Sequence, residues 1–153
     1  MFDVTDIFRS IMEMLEANFS DIPVENSDIK NPPRPSFYIN FLDEKDSKTA
    51  ASYTNEKYSF DVIYFGKSNK KFRLELLEIQ AKLKNLFLKP LSTEKDGKRL
   101  FFDIISAEYN RNNADGVLNA LIDFDLTQGI SDEFNFDYDD GMASEETMDE
   151  LQV

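Results

Sequence analysis

The chain has 153 residues, 41% of them apolar, which is enough for one domain with a hydrophobic core. It contains no cysteine and no histidine, which excludes disulfides, thiolate or imidazole zinc sites, and Cys-His or Ser-His-Asp catalysis. The formal net charge of −13 disfavours binding to nucleic-acid phosphates, and no segment reaches the roughly 18–20 apolar residues of a membrane span.

The first predicted element is an amphipathic helix over residues 5–19. Its apolar side chains recur at helical spacing on one face, and Asp3 or Thr5 is suited to cap its start. The turn at residues 20–23, which contains a proline, ends the helix. The apolar stripe consists of Ile7, Phe8, Ile11, Met12, Leu15 and Phe19.

Two strands are predicted after a proline-rich connector over residues 24–35. Alternating side chains indicate one strand over residues 36–43 and another over residues 52–66, and we expect the two to pair antiparallel. The polar residues 44–51 between them are interpreted as a hairpin tip or mobile loop. Aromatic rings occur on both faces of these strands, so we expect another subunit to cover part of the outer face.

The longest amphipathic segment predicts a helix over residues 71–90. Ser68 or Asn69 can cap its start, and Pro90 prevents its continuation. The apolar stripe is wide, so we expect this helix to pack across a β-sheet. The stripe comprises Phe72, Leu76, Ile79, Leu83, Leu86 and Phe87.

Three further strands complete the predicted sheet, over residues 91–94, 99–109 and 117–126. Asp96-Gly97 is a strong signal for a tight hairpin turn between the first two, and residues 112–116 are a looser turn before the last. The resulting order of elements is α-β-β-α-β-β-β. The sequence therefore predicts an α+β fold in which two helices pack on a mostly antiparallel β-sheet.

Charge is unevenly distributed along the chain. Residues 66–99 carry ten basic and four acidic side chains, whereas residues 128–153 carry nine acidic and no basic ones. We predict a domain over residues 1–130 and an acidic, flexible C-terminal tail over residues 131–153. A solvated helix face explains the basic group most simply. The alternative is that this group meets an acidic surface on a second copy.

No group of residues predicts an active site. The acidic run before Gly141 lacks the spacing of an EF-hand calcium loop, and residues 66–68 lack the earlier glycine of a phosphate-binding loop. Asp103, Asp123 and Asp125 are candidates for a magnesium-dependent hydrolase site, although solvent-facing strand positions explain them more simply. We therefore predict that the protein is not an enzyme and uses no metal or cofactor.

Three segments show local similarity to a known family: Pro-Ser-Phe-Tyr-Ile at residues 35–39, Tyr-Ser-Phe-Asp-Val-Ile-Tyr-Phe at residues 58–65, and Asp-Gly-Val-Leu at residues 115–118. The order of elements and the leucine periodicity of residues 72–88 are similar as well. With these features the chain resembles the tail terminator family of phages and phage-like elements of Gram-positive bacteria, over roughly residues 1–127.

The resemblance implies a virion structural protein without catalytic residues. Such a protein caps the head-proximal end of the tail tube as a ring, usually a hexamer, ends tube polymerisation, and presents a surface to the neck or head. The implied partners are further copies of the chain, the tail tube protein, and sheath and neck or connector proteins. DNA is only passing cargo, and no membrane is involved. The particle is a complete phage or a headless bacteriocin-like one, assembled in the bacterial host cytoplasm.

The candidate subunit-interface residues fall into three groups. Basic residues at the start of the long helix are hypothesised to face an acidic neighbour, and residues of the predicted loop and the tail are candidates to become ordered on binding. The groups are Lys67, Lys70, Lys71 and Arg73; Glu44, Lys45 and Asp46; and Phe134, Phe136 and Tyr138.

The main alternative function is a small acidic inhibitor that mimics DNA and blocks a nucleic-acid enzyme. The net charge of −13 supports this alternative. The basic group over residues 66–99 opposes it, because a mimic should be acidic across its working face.

Overall fold

A computed structural model describes residues 2–25, 32–50, 53–67 and 72–129 of the chain. This part has two helices, neither long and apolar enough to span a membrane, and seven strands. The fold is α+β, as predicted from the sequence. In chain order the elements are α1 (Val4–Asn18), β1 (Val24–Glu25), β2 (Ser36–Ala50), β3 (Tyr53–Phe65), α2 (Phe72–Phe87), β4 (Leu91–Lys95), β5 (Lys98–Phe102), β6 (Ile104–Asn112) and β7 (Val117–Gly129).

The strands form a mixed five-stranded sheet in the order β1-β2-β3-β7-β6 and a separate two-stranded hairpin of β4 and β5. β1 lies parallel to β2, whereas β6 lies antiparallel to β7. Only two residues separate β2 from its neighbour β3, so these strands run antiparallel, as predicted. The chain divides into a larger compact unit, residues 2–45 with 57–125, and a smaller one that contains residues 46–56 and the described residues after 125.

The predicted loop over residues 44–51 is wrong for residues 44–50, because β2 continues to Ala50; residue 51 lies outside the described residues. This stretch is polar and shows no apolar alternation, but strand pairing uses the backbone and needs no apolar face. In the smaller unit, Thr54 Oγ1 donates a hydrogen bond to Glu56 Oε2 at 2.9 Å. This bond satisfies one carboxylate oxygen of Glu56 within β3.

The single strand predicted over residues 99–109 is also wrong, because Asp103 divides it into β5 and β6. β5 pairs with β4, and β6 pairs with β7 in the larger sheet. Both halves have strand-forming sequences, and no glycine or proline marks the division. Asp103 itself has low strand propensity and is a weak sign of a break, but local propensity does not indicate the change of partner. The tight turn before β5 is confirmed, since both Asp96 and Gly97 have positive φ, 52° and 78°.

The core of the larger unit contains most of the predicted stripes of both helices, but Phe8 and Met12 of the α1 stripe are only half-buried. All residues of the α2 stripe are buried except Leu86, which is half-buried. The ring of Phe124 lies 4.9 Å from that of Phe102 and 5.5 Å from that of Tyr58, measured between centroids. The contact between Phe102 and Phe124 joins the β4–β5 hairpin to the larger sheet, whereas the contact between Tyr58 and Phe124 lies within that sheet. The buried apolar side chains of α1 and its C-cap are Ile7, Ile11, Leu15 and Phe19.

Asp3 caps α1, as predicted, through a capping box. Its carboxylate accepts hydrogen bonds from the backbone N–H groups of Thr5 and Asp6, at 2.9 and 3.2 Å. The Asp6 carboxylate in turn accepts from the Asp3 backbone N–H at 2.8 Å. The backbone N–H groups of Asp3 and Thr5, which the helix leaves without partners, are satisfied in this way, and that of Asp6 gains a second acceptor beside the Asp3 carbonyl.

The buried Asp6 side chain also fixes the β4–β5 hairpin to α1. It forms ion pairs with Arg9 and with Lys95, the last residue of β4, both at 3.2 Å. One turn further along the helix, Ser10 Oγ donates a hydrogen bond to the Ser92 carbonyl oxygen at 2.9 Å. The hairpin is thus held by polar contacts at both Ser92 and Lys95.

We expect Asp3→Ala to lower the free energy of unfolding by about 1 kcal/mol at neutral pH, since it removes the N-cap acceptor. Hydrogen bonding, above all from the Thr5 side chain, holds the pKa of the Asp3 carboxyl below its ordinary value of 3.8. A lowered native pKa gives stability that is present above the ordinary pKa and is lost as pH falls through the native pKa. Urea unfolding at a series of pH values should therefore show that the free energies of unfolding of Asp3→Ala and of the unmodified protein converge at acid pH.

Asp21→Ala is the matched control, because Asp21 is an exposed aspartate in the turn after α1. Its free energy of unfolding should equal that of the unmodified protein at every pH of the series. A stability difference for Asp3→Ala that stays constant through the acid range would contradict the role given to the charged cap.

Candidate functional site

Helix α2 carries apolar side chains on two opposite faces. One face is the predicted stripe, which is buried. The other follows the spacing i, i+3, i+7 and i+14. At 3.6 residues per turn these positions fall within an arc of about 60° on the far side of the helix. This second face, termed the outer stripe, consists of Leu74, Leu77 and Ala81 in α2 and of Leu88, the residue directly after its end.

The outer stripe is open to solvent. Leu74, Leu77 and Leu88 are 66%, 42% and 75% exposed, and Ala81 is exposed as well. A helix that packs by one face normally has polar residues on the opposite face. Single exposed apolar residues are ordinary, but an aligned row is typical of a contact site for another protein. Only the buried stripe of this helix was predicted from the sequence, although the regular spacing of the outer stripe is visible there as well.

Basic side chains flank the outer stripe on both sides. Arg73 and Lys84 follow one edge, and Lys82 follows the other, where Glu78 also lies. Lys89 is exposed two residues after the end of the helix. No described carboxylate lies within ion-pair distance of Arg73, Lys84 or Lys89. The surface therefore combines apolar contact area with positive charge that is available to an acidic partner.

A cleft of about 560 Å³ borders the outer stripe. Ala81 of the stripe and its flanking residue Lys82 form part of the cleft wall. The end of α1 supplies the apolar Phe19, over whose ring Lys82 Nζ lies at 5.8 Å from the centroid. This volume is within the range of roughly 300–1,000 Å³ found for clefts that enclose drug-sized groups. The cleft can thus receive apolar side chains from a partner bound along α2.

The start of α2 is held in place by a junction of loops. Arg34 donates from Nη1 to the Gly66 carbonyl at 3.2 Å and from Nη2 to the Asp115 carbonyl at 2.9 Å. The Gly66 N–H donates to the Gly116 carbonyl at 2.8 Å. The ring of Phe72, the first residue of α2, fills the space where both glycines lack a side chain.

Glu75 connects the first turn of α2 to the end of β3. Its Oε2 accepts hydrogen bonds from Tyr64 Oη at 2.6 Å and from the Lys67 backbone N–H at 2.8 Å. Burial, together with the nearby Glu75 carboxylate, raises the pKa of the Tyr64 hydroxyl well above its ordinary value. The hydrogen bond from Tyr64 to Glu75 joins the end of β3 to the first turn of α2.

The predicted interface residues are only partly brought together. Lys67 and Arg73 are exposed near the start of α2. Glu44 and Lys45 are exposed on β2 in the larger unit, and Asp46 is exposed in the smaller one. The remaining predicted residues lie outside the described part of the chain; they are Lys70, Lys71, Phe134, Phe136 and Tyr138.

The three carboxylates considered for a hydrolase site do not form a metal-binding group within the described residues. Asp123 accepts hydrogen bonds from the hydroxyls of Ser59 and Ser106. Asp125 pairs with Lys57 at 3.9 Å, and Asp103 is exposed at the break between β5 and β6. The aspartates of β7 thus serve cross-strand pairing on the sheet.

A family model described as phage tail terminator protein matches residues 6–135. A comparison with curated proteins finds no significant match. Among solved structures, one aligns with 82% of this chain and 91% of its own length, at 13% sequence identity and a TM-score of 0.42. A similarity at that level does not establish a common fold.

Proposed function

The chain belongs to the phage tail terminator protein family, and from this premise we propose that it closes the tail tube as a ring of identical copies. As a member of a structural family it is a component of the phage tail and interacts with other tail proteins. In the proposed role, a hexameric ring sits at the head-proximal end of the tube. There it stops the addition of tube subunits and offers its free surface to neck or head proteins.

The outer stripe is the observation that best supports a role in assembly. A closed ring requires each copy to present two different surfaces, one for each neighbour. The row of exposed leucines with its basic flanks is suited to be one of these surfaces. The strongly acidic remainder of the sequence can supply the other, because opposite charges favour association and fix its orientation.

The overall charge is also suited to a channel for DNA. With a net charge of −13 per copy, a ring repels phosphate more than it binds it. DNA can then pass without being retained. An acidic inhibitor that mimics DNA is less well supported, because the exposed face of α2 is basic rather than acidic.

Electron microscopy of particles from a strain that lacks the gene tests the proposed function. We expect tubes of variable and excessive length, or tails without heads, because nothing ends tube growth or provides the attachment surface. Supplying the unmodified gene in trans should restore uniform tails. Particles of normal tail length in the absence of the gene would be incompatible with a terminator.

A further inference from the structure

We propose that the outer stripe of α2 is the docking site for the acidic C-terminal segment, residues 131–153, of a neighbouring copy. This inference rests on the proposed function, in which the ring brings a neighbour into reach. Two independent properties of the exposed helix face favour this segment as its ligand, namely its charge and its apolar area.

The first property is charge. The only strongly basic stretch of the chain is residues 66–99, and α2 occupies its centre. Residues 128–153 carry nine carboxylates and no basic side chain. Residues 1–65 carry twice as many acidic as basic side chains, so they offer the segment no comparable attraction. Arg73, Lys84 and Lys89 have no described ion-pair partner and are free to meet it.

The second property is apolar area. The segment carries aromatic residues at alternate positions, Phe134, Phe136 and Tyr138, with Asn135 and Asp137 between them. The outer stripe provides leucine side chains next to basic groups. The bordering cleft adds apolar wall residues, among them Phe19 and Ile79, and its charged wall residues are two lysines and three carboxylates. The aromatic rings of the segment are therefore the part that suits the cleft, and its carboxylates suit the basic flanks of the stripe. Aromatic residues that alternate with the polar residues Asn135 and Asp137 can place rings on the leucines and polar or charged groups on the flanks. Nucleic acid would use the basic groups but leave the leucines unburied.

The length of the segment is sufficient to reach a neighbour. The described chain ends at Gly129, after which 24 residues follow. Fully extended, they span at most about 80 Å at roughly 3.3 Å per residue. The outer stripe from Leu74 to Leu88 is only about 21 Å long at 1.5 Å per residue. Each copy then has one donor segment and one acceptor face, which is the arrangement that closes a ring head to tail.

Introduced cysteines test this docking, because the natural chain has none. Two full-length variants with tags of different size, one with Ala81→Cys and one with Asn135→Cys, are produced together in the host that assembles the particles. Purified particles are oxidised and separated without reducing agent. We expect a disulfide-linked heterodimer, and its yield should fall when the salt concentration is raised before oxidation.

Ala17→Cys is the matched control for Ala81→Cys, since Ala17 is also an exposed helical alanine. Its neighbours Glu13 and Glu16 are acidic, so it should be linked to residue 135 several-fold less than residue 81. Equal yields from the two positions would overturn the proposal. So would a bond that forms only within single chains carrying both Ala81→Cys and Asn135→Cys, or capture of residue 81 by a different protein.

The failure of the docking can be distinguished from failure of the proposed function. Particles that contain normal amounts of the variants and have normal tails, but no 81–135 heterodimer, would overturn the docking alone. Absence of the chain from tails would overturn the terminator role instead. In that case the docking is tested separately: the two purified full-length variants are mixed at high concentration, and the yield of the 81–135 disulfide is measured.

Discussion

The double substitution Leu74→Glu with Leu77→Glu is expected to leave the chain folded but to exclude it from tails. Both side chains lie on the exposed outer stripe, so their removal leaves no cavity in the core. Glutamate has nearly the same helix propensity as leucine, and near the start of α2 its charge interacts favourably with the helix dipole. The free energy of unfolding should therefore change by no more than about 0.5 kcal/mol, as for ordinary surface substitutions.

The loss of assembly should be large because the double substitution has two unfavourable effects. The substitution removes the most accessible apolar area of the first two turns, and it places negative charge where an acidic partner is proposed to bind. Immunoblotting of purified particles measures incorporation, and electron microscopy measures tail length. Incorporation close to zero, with tails like those of the strain without the gene, is the expected outcome.

Two controls separate the causes. Ala17→Glu adds one negative charge to an exposed position of α1 and should be incorporated normally. Leu74→Lys with Leu77→Lys removes the same apolar area but keeps the basic character, so partial incorporation should depend on low salt. If the glutamate variant is incorporated at the unmodified level, the outer stripe has no role in assembly.

Gly116→Ala is expected to destabilise the larger unit by about 3 kcal/mol or more, from left-handed strain and overpacking together. Gly116 has a φ of +69°, a conformation that residues with a side chain rarely adopt. An added Cβ would also lie 2.4 Å from the Phe72 ring. The backbone cannot move away easily, because its N–H and its carbonyl are hydrogen-bonded to Asn112 and Gly66.

Gly97→Ala is the control, because Gly97 has a φ of +78° but no atom within 4 Å of an added Cβ. It should cost only the conformational strain, about 1–2 kcal/mol. Urea unfolding of both variants therefore isolates the steric contribution of Phe72. Adding Phe72→Leu to Gly116→Ala should recover part of the loss, as a non-additive pair in a double-mutant cycle. Equal costs for the two glycine variants would show that the contact with Phe72 is relieved at little cost.

Features that depend on local sequence were predictable. The Asp3 cap, the buried period of α2 and the Asp96-Gly97 turn each follow from residues close together in the chain, and the structure confirms all three. In each case the physical cause is local: an acceptor for free N–H groups, a repeat of 3.6 residues, or tolerance of positive φ.

Features that depend on the choice of partner were not predictable from local patterns. The division of residues 99–109 at Asp103 places two equally strand-like halves in different sheets, and only their distant partners β4 and β7 decide this. The extension of β2 to Ala50 likewise follows from pairing with β3 rather than from its own polar side chains. The spacing of the outer stripe is visible in the sequence of residues 74–88. That this stripe faces solvent, however, follows only from the structure, which shows that the opposite face of the helix is buried.

The contacts between α1 and the β4–β5 hairpin join parts of the chain that are far apart, which affects the timing of folding during synthesis. Ser10 and Ser92 are 82 positions apart, and Asp6 and Lys95 are 89 apart. At about 5–20 residues per second on the ribosome, the partners of α1 emerge several seconds after it. Until then Asp6 and Ser10 of α1 have no hairpin partner. The rings of Phe8 and Phe19 can already contact Phe60 of β3 and Phe37 of β2 at that stage. The first helix to be synthesised can therefore begin to pack early, but its polar contacts are among the last to be completed.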